Sequence, residues 1–325
     1  MATIEDVARL AGVSTSTVSY TLSGKRAISA RTKARVQKAI TDLDYRPHEA
    51  ARALASSRSN ILGLMAPLRT AVNVNVIMEF VAGVAERARE FDYDVLLLTK
   101  DDQDAIPRVA SGSMVDGLIL MDIEAKDARI PIAAQVRQPV VLIGGPDDPQ
   151  GLSCVDFDFE AAARLAVRRL VGAGHRRIAL VGPSEQVLAR GTSYAVRLHR
   201  GYRDQCASAG VPSLILPGDG DPAAAAGVVD RLFDAEPQLT GLVVHNESAL
   251  PFILDALADR DPSTPVEVLA ICPADLAAGY RSLTDFIDIP AHLIAQTAVD
   301  MLLDRLSGDV SPETRLIAPR LAVRN

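Results

Sequence analysis

From Ile61 onward the chain repeats one unit, in which a short apolar run stops at Gly, Pro, Asn or an acid and a helical stretch follows. Strands are predicted over 61–65, 95–99, 117–121, 140–143, 178–181, 241–245 and 266–271, and helices over 77–91 and 160–171. Gly172 and Gly174 end the second of those helices. A strand that is apolar at every position has no solvated face, so both of its faces must be covered. Such strands alternating with helices imply parallel sheets flanked by helices on each side. A chain of 325 residues suggests two or three compact units. The stretch from Ile61 is long enough for two such sheets, with a core that needs neither disulfides nor metal.

Residues 1–60 follow a different rule. They hold ten Lys or Arg and five acids, a charge of +5, whereas the whole chain carries −7 and residues 61–325 therefore −12. A basic head on an acidic body points to nucleic-acid contact through one end only. Thr3 and Asp6 have capping-box spacing ahead of a first helix whose inner face is predicted to be Val7, Leu10 and Ala11, with Gly12 as its stop. Ser14 can cap a second helix, 15–22, with Val18 and Leu22 inward. Small Ala8, turning Gly12 and locking Val18 have the spacing of a helix-turn-helix, whose second helix enters the major groove. Ser29 caps a third helix with Val36, Ile40 and Leu43 inward and Arg31, Lys33, Arg35 and Lys38 outward. Those cations either form a solvated face or contact phosphate. After Tyr45-Arg46-Pro47 comes a helix of about two turns, too short to stand alone in water. It is a candidate for folding on binding, with Leu54 either a wedge between base steps or packed on the body.

Other chemistries find little support. Cys154, Cys206 and Cys272 are isolated, as in a reducing cytoplasm. No run approaches the ~18 apolar residues of a membrane span, and Met1 to Asp6 do not read as a signal peptide. A soluble cytoplasmic protein is expected. No G-x-S-x-G, Walker A, complete G-x-G-x-x-G or H-E-x-x-H occurs, so an enzyme is not expected. Gly172-Ala173-Gly174 lacks a third glycine and follows a helix instead of opening one. Asp156-Phe157-Asp158 and Asp219-Gly220-Asp221 lack the remaining oxygens of a calcium loop. Neither a cofactor nor a metal is expected.

The run Thr3-Ile4-Glu5-Asp6-Val7-Ala8-Arg9-Leu10-Ala11-Gly12-Val13-Ser14, then Thr17-Val18-Ser19, Tyr45-Arg46-Pro47 and Ala51-Arg52-Ala53-Leu54-Ala55, resembles the lactose-repressor/galactose-repressor family of bacterial transcription regulators. The resemblance extends along the whole chain, more weakly beyond residue 180. It implies an N-terminal all-α helix-turn-helix head with a hinge helix (about 47–55) in residues 1–58. Residues 59–325 would be an effector-binding and dimerisation body of two doubly wound α/β subdomains like those of periplasmic sugar-binding proteins. One subdomain is expected at about 61–157 plus 288–316 and the other at about 158–287 plus 317–325, with crossovers near 156–159, 283–287 and 316–319. In that family the recognition helix reads bases through positions that are here Thr15, Ser16 and Tyr20. The hinge helices pair across a dimer, which here would set Ala51, Arg52 and Leu54 in the minor groove. Phosphate contacts fall to Ser14, Thr17, Ser19, Arg31 and Lys33. The partners implied are a palindromic double-stranded operator, a second copy of the chain and a sugar-like effector, with no membrane.

Ligands of open parallel sheets sit beyond the carboxyl ends of the strands. The candidates there are Arg69, Asn73, Asp122, Arg197, His245, Asn246, Cys272 and Asp275, polar groups suited to a polyhydroxylated ligand. Asn246-Glu247 stands where the family commonly has Asn-Asp. Two departures mark this chain. Leu198, flanked by Arg197 and Arg200, holds the place of an Arg ahead of Gly201-Tyr202. Ala270-Ile271-Cys272-Pro273 has no acid where the family has a ligand carboxylate. The expected function is a DNA-binding repressor switched by an unusual sugar, a sugar derivative or another small metabolite. The alternative is a regulator whose DNA binding a nucleotide or other metabolite tightens.

Overall fold

The computed structural model describes residues 2–23, 26, 28–45, 58–69, 72–100, 102–112, 114–260, 265–283, 285–308 and 310–323. Among the described residues the head has three helices, α1 (Ile4–Ala11), α2 (Thr15–Ser23) and α3 (Ala30–Asp42). Each start is tied by a hydroxyl. Thr3 Oγ1 accepts from the Asp6 amide while Asp6 accepts from Thr3 N at 3.0 Å; Ser14 Oγ accepts from Thr17 N and Ser29 Oγ from Thr32 N, both at 3.2 Å. Gly12 ends α1 at φ 62°, a left-handed turn that a β-carbon would strain. Val7, Ala8, Ala11, Val18, Val36, Ala39 and Tyr45 form the buried core of the head. Leu10 departs from the sequence expectation and is 54% exposed. At about 100° per residue, Val7, Ala8 and Ala11 make one face of α1 and Leu10 falls roughly a quarter-turn off it.

The body holds two six-stranded sheets. The first contains β1 (Ile61–Met65), β2 (Asp94–Leu98), β3 (Gly117–Leu120), β4 (Val140–Ile143), β5 (Ser153–Phe157) and β11 (Thr314–Ile317), in the order β11-β5-β4-β3-β1-β2, all parallel. Its helices include α4 (Val74–Arg89), α5 (Ala105–Ser111), α6 (Ile130–Ala133) and α13 (Ala291–Ser307). The second contains β6 (Ile178–Gly182), β7 (Leu214–Pro217), β8 (Gly241–Val244), β9 (Glu267–Cys272), β10 (Asp285–Asp288) and β12 (Leu321–Val323), in the order β12-β10-β9-β8-β6-β7. Only β12 runs antiparallel. With it go α7 (Phe159–Gly172), α8 (Glu185–Ala189), α9 (Ser193–Ala209), α10 (Pro222–Ala235), α11 (Leu250–Ala258) and α12 (Ala274–Ala278). Strands β1, β3, β4, β6 and β8 are buried over most or all of their length, which explains their unbroken apolar sequences; β5 is equally buried but carries Ser153 and Asp156.

Three passages join the lobes: Asp158 between β5 and α7, Ile289 with Pro290 between β10 and α13, and 318–320 between β11 and β12. The middle one lies beyond the expected 283–287, because Asp285–Asp288 pair in register with Leu269–Cys272 as a strand of the second sheet. The Asp158 amide donates to Ile317 O at 3.0 Å, which ties the first passage to the end of β11, where the third begins. At Gly201, α9 passes close against α7. A β-carbon there would collide with the backbone carbonyl of Glu160 on α7, so α9 can lie this close only with hydrogen at that position.

Candidate functional site

Two surfaces concentrate exposed or unspent polar chemistry. The first is α2. Val18 is fully buried beneath it, while Thr15, Ser16 and Tyr20 point outward and are exposed. Ser14 is exposed, and Thr17 and Ser19 are half-buried. The Ser14 and Thr17 hydroxyls lie 2.8 Å apart at the start of the helix, where its amides face outward. Arg26 sits over the Tyr20 ring at 6.0 Å. On α3, Arg31 and Lys33 are exposed. Two neighbours in the predicted basic face have other work. Arg35 turns back to donate to the carbonyls of Ala11 and Gly12, and Lys38 pairs with Asp42 at 2.9 Å. The hinge residues Ala51, Arg52 and Leu54, with the hinge helix itself, lie outside the described residues. Beyond them the chain is held by Asp116, which accepts from Ser59 N at 2.7 Å, Ser59 Oγ at 3.0 Å and Asn60 N at 3.0 Å.

The second surface is a cavity of about 130 Å³ between the lobes. Segments following β1, β3, β4 and β8 open onto it, as do Asp156 near the end of β5 and the starts of α4, α7 and α9. That is the position where parallel sheets present ligand groups. Much of the wall is apolar, including Phe80, Met121, Ile123 and Ile143. On the second-lobe side Phe159, Tyr194 and His245 form an aromatic group with ring centroids 5.2–5.6 Å apart.

The polar residues of the wall are largely paired. Asp122, at φ 55°, forms an ion pair with Arg69 of its own lobe at 2.8 Å and accepts from Arg190 of the other lobe at 2.8 Å. Glu124 lies within 4 Å of both arginines, while its burial and Asp127 raise its pKa. Asp156, buried beneath the cavity, is bound by Arg197. Burial raises the Asp156 pKa and the Arg197 charge opposes that rise. Arg197 also stands 5.9 Å from the Phe159 ring centroid. Next to Arg190 the lobes share backbone hydrogen bonds: Ala125 N donates to Gly191 O at 2.8 Å and Ser193 N to Ile123 O at 2.9 Å.

Of the residues singled out by sequence, Asn73, Asp122 and His245 line this cavity. Arg69 and Arg197 stand directly behind it, each on a carboxylate of the wall. The other three are not brought to it. Asn246 braces its own turn, donating to Gly218 O at 2.7 Å and accepting from the amides of Ser248 and Ala249 at 3.1 Å; its neighbour Glu247 lines the wall instead. Cys272 is buried in the second lobe's core, where burial pushes its thiol pKa up. Asp275 is exposed on α12. Sequence reasoning missed Asp156, Phe159, Arg190 and Tyr194. The first two adjoin the crossover after β5, a strand that the apolar-run pattern did not mark. Among the described residues no group of three His, Cys, Asp or Glu could hold a metal ion, and no helix is long and apolar enough to cross a membrane.

Residues 3–48 match the family model for bacterial regulatory proteins of the lacI family, and residues 167–325 match a periplasmic binding protein-like domain. The HTH-type transcriptional regulator CelR of Thermobifida fusca is 27% identical over 332 residues, 97% of this chain and 95% of that protein. The HTH-type transcriptional regulator AglR of Rhizobium meliloti is 32% identical over 61% of this chain and 56% of its own length. The Lac repressor dimer bound to operator and the anti-inducer ONPF has the same fold, with a TM-score of 0.79, 24% identity, and 99% of this chain and 98% of that one covered. These relatives are regulators of transcription and not enzymes. A three-helix head and two parallel-sheet lobes, matched in sequence at both ends, place this chain in the lacI family of bacterial regulatory proteins.

Proposed function

We propose that this protein is a cytoplasmic, homodimeric repressor that binds a palindromic operator and is switched by a small carbohydrate-like effector held between the lobes. The observation that carries the reading is the division of α2, with Val18 locked in the core and Thr15, Ser16 and Tyr20 left outward without a packing role. Thr15 and Ser16 can donate to or accept from base edges, and Tyr20 can reach a base edge or a phosphate. Ser14, Thr17, Ser19, Arg31 and Lys33 supply the phosphate contacts that set register. Ala51, Arg52 and Leu54 enter the minor groove on the sequence reading alone.

Val74 and Met78, one turn apart on α4, are exposed apolar residues of the kind a second copy would cover. In the cleft, Asn73, Asp122 and His245, with Arg69 and Arg197 behind the wall, would meet the effector. At about 130 Å³ the cavity is smaller than the roughly 300–1,000 Å³ of typical ligand sites, so a larger effector enters only as the lobes part. Parting would draw Arg190 away from Asp122 at one end of β3, and Asp116 at the other end of the same strand holds the exit from the hinge.

The test is selection of bound sequences from random double-stranded DNA, followed by operator titration with and without candidate effectors. A palindromic consensus released by effector supports repression by induction. Tightening by effector supports the co-repressor alternative. Uniform binding to every sequence refutes the operator reading.

A further inference from the structure

The wall of the cleft is not balanced in its unspent groups. The arginines beside it are committed: Arg69 and Arg190 to Asp122, with Glu124 in reach, and Arg197 to Asp156. These charges cancel, two arginines against two carboxylates at one place and one against one at the other. Glu247 lines the same cavity, is half-buried, and forms no ion pair among the described residues. Burial, together with the charges of Asp275, Glu247 and Asp288, raises the pKa of Glu79 on α4, with His292 opposing, so Glu247 shares its surroundings with acids.

His245 supplies a second, independent sign. Its side chain is 4% exposed and lines the cavity, and Nδ1 lies 2.9 Å from Ile271 O. A carbonyl can only accept, so Nδ1 is the donor there, and in the tautomer with that single proton Nε2 is an acceptor with no partner among the described residues. The unspent groups are therefore a carboxylate and an imidazole lone pair, with the amide of Asn73 as donor and Ser193 and Tyr194 hydroxyls as either. Among the described residues, no cation lines the cavity without a carboxylate partner.

We infer that the cleft selects an effector without negative charge, a neutral polyol or an amine-bearing relative of one, and that Glu247 and His245 accept hydrogen bonds from it. The inference rests on the cleft being the effector site. An anion placed here would face the Glu247 carboxylate, or would have to break an arginine–carboxylate pair and leave a buried acid unpaired. A hydroxyl or ammonium group meets two acceptors that now lack donors.

The test uses the full-length protein with glucose, galactose, mannose and their common disaccharides, each as the parent sugar, the 2-amino form and the 6-phosphate. Thermal shift finds binders and calorimetry measures them. Stabilisation should come from parent or amino forms. Glu247→Gln should weaken an amino-sugar binder by about ten- to a hundredfold while the parent sugar weakens less. A phosphorylated form that binds more tightly than its parent overturns the charge inference, as does an amino-sugar affinity unchanged in Glu247→Gln. Val72→Trp, which fills the cavity mouth, separates the two claims. Binding unchanged by Val72→Trp, or no stabilisation by any sugar of the panel, overturns the reading of the cleft as a carbohydrate site. A phosphorylated binder lost in Val72→Trp overturns the charge selection alone.

Discussion

Arg190→Ala removes the second lobe's arginine from Asp122 and leaves Arg69 on the same carboxylate, so no buried acid is stranded. This isolates the contribution of one contact to lobe closure. Arg190 places Nη1 at 2.8 Å and Nη2 at 3.4 Å from the two carboxylate oxygens, nearly a bidentate arrangement. Hydrogen bonds to charged groups contribute about 1.5–3 kcal/mol. The Arg190 side chain is 23% exposed and Asp122 is 11% exposed, so partial solvent screening brings the expectation to about 1–2 kcal/mol. That is a shift of about 5- to 30-fold towards the open state. Hydrogen exchange reads it directly, since the amides of Ala125 and Ser193 donate from one lobe to the other and lose their partners when the lobes part. Both should exchange about 5–30 times faster in Arg190→Ala. The amides of Gly144 and His245 bond within single lobes, to Val155 O and Val181 O, and should keep their rates. Unchanged exchange at Ala125 and Ser193 would refute the latch. Equal acceleration at all four amides would show general destabilisation instead.

Three further outcomes are expected. Gly201→Ala forces a β-carbon against the Glu160 backbone, and should lower stability by about 3 kcal/mol in urea unfolding; a loss under about 1 kcal/mol would mean that α7 and α9 part easily. Burial lowers the His199 pKa from 6.5 to about 4, so between those pH values the unfolded chain binds the extra proton. Stability should therefore fall as pH drops through that window, by on the order of 1 kcal/mol after allowance for its partial exposure. His199→Gln should flatten that part of the stability–pH curve, and an unaltered curve would remove His199 as its cause. On operator DNA, Lys33→Ala should lower the slope of log affinity against log salt by about 1 with base preference retained, whereas Ser16→Ala should change preference and keep the slope. The reverse pattern would exchange the two roles.

What could be read from sequence followed from where the backbone's hydrogen bonds and apolar surface must go. Ile61–Met65 and Val140–Ile143 are apolar throughout because they lie inside a sheet covered on both faces, and such runs stand out unaided. Thr314–Ile317 is exposed over most of its length, and Leu214–Pro217 is an edge strand only half-buried. Tertiary pairing makes Thr314–Ile317 a strand without any matching pattern, whereas Leu214-Ile215-Leu216 ahead of Pro217 is a run of the repeating kind that the predicted strands leave out. The head was legible because its caps are local: Thr3, Ser14 and Ser29 each bond within three residues. Local spacing misjudged Leu10, because an apolar residue beside the inner face is not thereby on it. The cleft was harder for the same reason. Strand ends nominate loops, and Asn73 and Asp122 on those loops do line the cavity, yet which neighbour turns inward depends on bonds made elsewhere. Asn246 spends both ends of its amide on Gly218, Ser248 and Ala249, and that leaves Glu247, which bonds to none of them, to line the cavity. The missing acid at Cys272 thus did not leave the cleft without a carboxylate; one stands on the adjacent strand's loop instead, and only the fold brings it there.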